Sequence, residues 1–188
     1  KTAGELFNEL IQSIRTTVNS KEFKAAVYAG EYNSVRNYRE TEAYIDRLFE
    51  IYSRLLVIRI DVGIRKEFLD ENADGELQEH LRHLFNNARN NRLFAAMIGQ
   101  IVKREVGKEK GPHAHLFLFF DGSKVHKDEH LTDLIGKYWN ERITHGEGTY
   151  HNCNRNKNRY KHLGIGMISH DDVEKRANLL LAVQYVTK

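Results

Sequence analysis

A single cysteine, Cys153, excludes an internal disulfide framework and any zinc module built on several thiolates, and it fits a reducing compartment. The single proline, Pro112, cannot donate to a β-ladder, so it marks where a strand opens. No apolar run approaches the roughly 20 residues that span a bilayer, and no signal-peptide pattern opens the chain. The expectation is a soluble, cytoplasmic protein with no membrane partner. Net charge is only +3, with a pI near 8.9, too little for bulk charge to argue for nucleic acid. Internal repeats and low-complexity tracts are also missing. A first residue other than methionine and an end at Lys188, inside a helical pattern, are expected of a piece of a longer protein.

What is present is a chain of 188 residues and 21.9 kDa, enough for one sizeable core with a helical appendage. Residues 1–52 read as a helical extension. Leu6, Phe7, Leu10, Ile11, Ile14 and Val18 form one stripe, Phe23 to Tyr28 a short second helix, and Tyr44, Ile45, Leu48, Phe49 and Tyr52 a third, with a polar linker over 31–40. From Leu55 the texture turns to β. The order is a strand with Leu56, Ile58, Ile60 and Val62 on one face, a helix from about Asp74, a strand over Met97 to Val106 and a second strand from Gly111. A helix over Glu129 to Ile143, a polar loop over Thr144 to Tyr160, a glycine-thinned strand at Leu163 to Ile168 and a final helix to Lys188 follow. This β-α-β-β-α-β-α pattern predicts an α+β fold, a small central antiparallel sheet with packed helices, over residues 53–188.

The stretch Gly111-Pro112-His113-Ala114-His115-Leu116-Phe117-Leu118-Phe119-Phe120-Asp121-Gly122 is apolar on both faces below its two histidines, so it reads as a central strand. Alternation puts His113 and His115 on one face, about 6 to 7 Å apart along the backbone. Hairpin pairing with the preceding strand sets Glu105 opposite them. Two imidazoles and a carboxylate form a mixed donor set for Mg²⁺, Mn²⁺ or Zn²⁺. On the last helix Tyr185 and Lys188 share a face, a phenol beside a cation. Arg155, Lys157, Arg159, Tyr160 and Lys161, interleaved with asparagines and interrupted by no acid, suit a phosphate backbone and a stacked base. Arg59 and Asp61 share the polar face of the first strand, as supports for the site, as contacts to a nucleic-acid backbone, or as a salt bridge.

Taken together, His113-Ala114-His115 in an aromatic strand, Glu105 before it and Tyr185-Val186-Thr187-Lys188 on the closing helix resemble the motifs of the HUH endonuclease superfamily. With Arg59-Ile60-Asp61 and Leu163-Gly-Ile-Gly, the chain is similar to inovirus-type rolling-circle replication initiators of phages and prophages. The resemblance covers Leu55 to Lys188. It implies a Rep-type sheet with an RRM-like core and a metal-dependent single-stranded DNA nickase and ligase. In that scheme His113, His115 and Glu105 hold a divalent ion, Mg²⁺ or Mn²⁺ before Zn²⁺. Tyr185 forms a 5′-phosphotyrosine link, and Lys188 neutralises charge beside it. Implied partners are single-stranded DNA or a hairpin at a replication origin and a host replication helicase, in the cytoplasm of a bacterial host. Leu181 and Ala182 stand where a second tyrosine would sit, so the chain resembles a one-tyrosine member. Two rivals remain open from the residues alone: a zinc hydrolase using the same His₂Glu set, and a nucleic-acid-binding module without chemistry.

Overall fold

The computed structural model describes residues 1–107 and 111–187. They divide into two compact units, one over Lys1–Glu42 and one from Ala43 onward. In the first unit, helix α1 (Ala3–Asn19) opens on a capping box: the Thr2 hydroxyl accepts the Glu5 amide, and the Glu5 carboxylate accepts the Thr2 amide at 2.8 Å. Ser20 breaks the helix and caps the next one, its hydroxyl accepting the Phe23 amide at 3.1 Å. Helix α2 (Lys21–Ile51) then runs without interruption, so the two helices and polar linker expected over this stretch are one helix. No proline interrupts it, and a lone Gly30 costs only about 1 kcal/mol against alanine. Its last turns lie in the second unit, where Ile45, Leu48 and Phe49 are buried.

The second unit is α+β, an open antiparallel sheet of five strands with helices on both faces. Strands β1 (Arg54–Ile64), β2 (Met97–Gly107) and β3 (Gly111–Asp121) pair in the order β2-β3-β1. Two short strands share the far edge of β1: β4 (Gly148–Asn152) pairs along Ile60–Ile64 and β5 (Gly166–Ser169) along Arg54–Val57. The sheet's first face carries Leu56, Ile58, Ile60 and Val62 with Ala114, Leu116, Leu118 and Phe120. They pack against Leu77, Leu81 and Leu84 of helix α3 (Ala73–Ala88), Ile135 of helix α4 (Asp128–Tyr138) and Trp139 of the π-helical turn that follows. On the second face Leu55, Val57, Phe117 and Phe119 meet Ile45, Leu48 and Phe49 of α2 and Leu179 and Val183 of helix α5 (Val173–Thr187). With both faces covered at that end, β3 has no solvent side there, hence its unbroken apolar run.

The polar loop expected over Thr144 to Tyr160 instead holds β4 and a 3₁₀ segment, Cys153–Arg159. Gly-Thr-Tyr-His-Asn is too short and polar to announce a strand; it forms because the edge of β1 offers unpaired amides and carbonyls. Between β4 and β5 that edge is filled by a side chain. The fully buried Asn154 accepts the Arg59 amide at 2.9 Å and donates to the Val57 carbonyl at 3.1 Å, replacing a strand's backbone with one carboxamide. The glycines expected to mark a close backbone approach do so at Gly164, where a Cβ would collide with the α5 backbone at Asn178 and Leu179.

Candidate metal centre

Three strands bring the site together by register alone. His113 pairs across to Glu105 on β2, and His115 pairs across to Asp61 on β1. The middle strand thus carries two imidazoles on the sheet's second face, with an acid on the neighbouring strand at either side. The ring centroids of His113 and His115 are 5.1 Å apart and nearly perpendicular.

Each histidine has one nitrogen occupied. His113 Nδ1 lies 3.0 Å from the Gly111 carbonyl oxygen, and His115 Nδ1 lies 2.7 Å from Asp61 Oδ1. Both partners are acceptors, so each ring donates from Nδ1 and turns its Nε2, the nitrogen left to ligate a metal, toward Glu105. The two Nε2 atoms stand 3.6 and 3.5 Å from the same Glu105 oxygen. That is too long for a good hydrogen bond. It is close to the separation of roughly 3 to 3.5 Å between donors held about 2.1 Å from a shared ion. Glu105, His113 and His115 therefore form a group close enough to hold a metal ion, all three half-buried.

Electrostatics support the arrangement from below. Burial raises the Asp61 carboxyl, but the hydrogen bond and charge of His115 and the charge of Arg59 outweigh it and hold the group below the usual carboxylate range. The same hydrogen bond raises His115 against the lowering effect of burial. Arg59 Nε is 3.6 Å from Asp61 Oδ1, is buried without a hydrogen bond, and its guanidinium lies over the Phe117 ring. Arg59, Asp61 and His115 thus form one chain of contacts, with Arg59 Nε turned inward.

Beside the histidines opens a cleft of about 600 Å³, lined by Asp61, Gly63, Arg65, Lys66, Thr149 and His151 among others. His151 faces Asp61 across the β1–β4 ladder. Sequence reasoning passed over Thr149 and His151, because only the pairing of β4 brings them to the site. A His-Asn at the end of a weak strand carries no signal of its own.

The remaining candidates fall elsewhere. Tyr185 sits on the last turns of α5 and is 81% exposed, with no hydrogen bond or ring contact among the described residues. Lys188 lies outside the described residues. Helix α5 packs on the same sheet face that carries the histidines, through Leu179 and Val183. In the basic cluster, Arg155 donates to Asp133, with Nε at 3.0 Å, and Lys157 pairs with Asp128 at 2.9 Å and Glu129 at 3.3 Å. Tyr160 is half-buried against the Cys153 thiol, and burial pushes its phenol up to about 12. Arg159 and Lys161 are exposed. The tract expected to face a phosphate backbone therefore spends three of its five side chains on its own fold. Phe117, Phe119 and Phe120 are fully buried and cannot stack on bases as an RNA-recognition sheet would require.

Among the described residues no helix is long and apolar enough to cross a membrane. Neither the curated proteins nor the solved structures contain a match to the chain. The sequence model of the YagK/YfjJ C-terminal domain matches residues 17–188, which include every strand of the sheet and all three members of the metal group, so the chain belongs to the YagK/YfjJ C-terminal domain family.

Proposed function

We propose that the protein is a metal-dependent nickase and strand transferase acting on single-stranded DNA, of the HUH type, that starts rolling-circle replication. One observation carries the reading: the Nε2 atoms of His113 and His115 converge on one Glu105 oxygen, while Asp61 engages the Nδ1 of His115 and fixes its ring. A bound divalent ion, Mg²⁺ or Mn²⁺ before Zn²⁺, would supply Lewis-acid polarisation of a phosphoryl oxygen. The chain's own part is to fix those donors on a rigid sheet and to offer an open cleft beside them. Tyr185, exposed on the helix that covers the same sheet face, is the nucleophile in this reading. Its phenolic oxygen bonds to phosphorus as the bond from phosphorus to the 3′-oxygen breaks. The phenolic proton passes to solvent, and the 3′-oxygen takes one up. The 5′-phosphotyrosine keeps the bond ready for resealing. Lys188 would balance charge beside it, and Arg159 and Lys161 remain for the DNA backbone. A helicase of a bacterial host would open the duplex behind the nick.

The test is incubation with single-stranded oligonucleotides from the protein's own replicon and Mn²⁺ or Mg²⁺, resolved on a denaturing gel. A metal-dependent shifted band that disappears in Tyr185→Phe is expected. Metal-dependent cleavage that persists in Tyr185→Phe without an adduct would turn the assignment to a hydrolase.

A further inference from the structure

Helix α1 is built to be a helix, and its own unit offers its apolar stripe nothing to pack on. Its capping box sets its start and a stripe of large apolar residues runs its length, yet none of its residues is buried. Leu6, Phe7, Leu10, Ile14 and Val18, with Phe23 and Val27 at the start of α2, are each 41 to 61% exposed. Helices of this length draw their stability chiefly from packing an amphipathic face. Within its own unit this face has no cover.

We propose that the cover is a second copy of the chain, docked antiparallel through α1. Area is the first argument. The five exposed side chains of α1 leave about 550 Å² open per copy, so two copies would bury about 1,100 Å² of apolar side chain, which the flanking polar side chains bring into the roughly 1,200–2,000 Å² of a stable interface. Charge is the second. Residues 1–42 hold six Lys and Arg against six Asp and Glu, which offers no pull toward nucleic acid or an anionic bilayer. Within that balance the signs are sorted. Glu5 and Glu9 lie in the first half of α1, where Lys1 offsets one of them through its 2.7 Å pair with Glu9, and Arg15, Lys21 and Lys24 lie toward and beyond its end, offset there by Glu22 alone. A two-fold axis near Leu10 and Ile11 sets the acidic half of one copy beside the basic end of the other and opposes the two helix dipoles. A parallel pair would stack like on like. The interface is isologous, and it does not depend on the proposed DNA chemistry.

Sedimentation velocity on the full chain across micromolar concentrations tests this. The expected result is a mass twice 21.9 kDa, reverting to one chain in Leu10→Asp/Ile14→Asp, with Trp139 emission unchanged as evidence that the second unit stays folded. A single-chain mass at every concentration overturns the proposal, as does a dimer that survives the double substitution. Wild-type flotation with phosphatidylglycerol vesicles that the double variant loses would assign the face to lipid instead. Should the aspartates melt α1, cysteine cross-linking in a Cys153→Ser background still decides. Ile11→Cys should form a disulfide dimer and Gly4→Cys should not; cross-linking at Gly4→Cys alone, or at neither position, refutes antiparallel docking.

Discussion

Removing the Asp61 carboxylate should weaken metal binding without touching a ligand. Asp61 Oδ1 accepts from His115 Nδ1 at 2.7 Å, a charge-assisted bond that sets both the tautomer and the ring angle. Loss of such a support costs about 10- to 100-fold in affinity, which is about 1.4 to 2.7 kcal/mol. Asp61→Asn retains an acceptor oxygen and belongs at the lower end. Asp61→Ala leaves the His115 ring free to turn and strips Arg59 of its nearest carboxylate, 3.6 Å away, and belongs at the upper end. Calorimetric titration with Mn²⁺ reads the difference, with His115→Ala and Glu105→Gln as ligand-loss references and Trp139 emission as the check on folding. An Asp61→Ala affinity within twofold of wild type, beside a large loss in His115→Ala, would show that Asp61 does not orient the ligand. If neither reference loses Mn²⁺, the metal centre itself is wrong.

Asn154→Ala should destabilise the second unit by about 2 to 6 kcal/mol in urea unfolding, because the buried Arg59 amide and Val57 carbonyl each lose their partner at about 1 to 3 kcal/mol; a loss below 1 kcal/mol would mean that water or the backbone replaces it. Gly164→Ala should cost about 1 to 3 kcal/mol by forcing α5 off the sheet, whereas Gly146→Ala, with open space but a φ of +97°, should cost only the strain of its backbone. Burial and the Asp61 carboxylate push the Cys153 thiol up to about 11. Its contribution to stability is whole below about pH 9 and is lost as pH climbs through 11, by roughly 2 to 3 kcal/mol. Chemical denaturation at pH 8 and pH 11, compared with Cys153→Ser, reads this, and equal alkaline losses in the two proteins would refute it. In the native chain at pH 8 the same thiol should resist aromatic disulfide reagents until urea is added.

Periodicity and pairing rules carried the metal group most of the way. His113 and His115 had to share a face because the strand period is two, and the short link to the preceding strand had to set Glu105 opposite them. The α+β class followed from where apolar residues recur, since burial of those faces leaves few architectures. The polar stretches were less legible. Residues 31–40 are helical because nothing in them breaks a helix that begins at Lys21, and polar composition alone says nothing about that. Arg155, Lys157 and Tyr160 looked like a nucleic-acid surface because a chain read in order does not show Asp133, Asp128 and Cys153 beside them.

Local chemistry along the chain was therefore enough to determine which residues alternate, which stripes seek cover and which donors stand two apart on one strand. Everything that depends on a third strand was decided by the tertiary fold. Asp61 reaches His115 only because β1 pairs beside β3. His151 joins the cleft, and Asn154 fills the edge of β1, only because β4 pairs on the far side. Distances of 2.7 to 3.1 Å between residues more than 50 or 90 positions apart are set by the pairing of strands, a property of the assembled sheet.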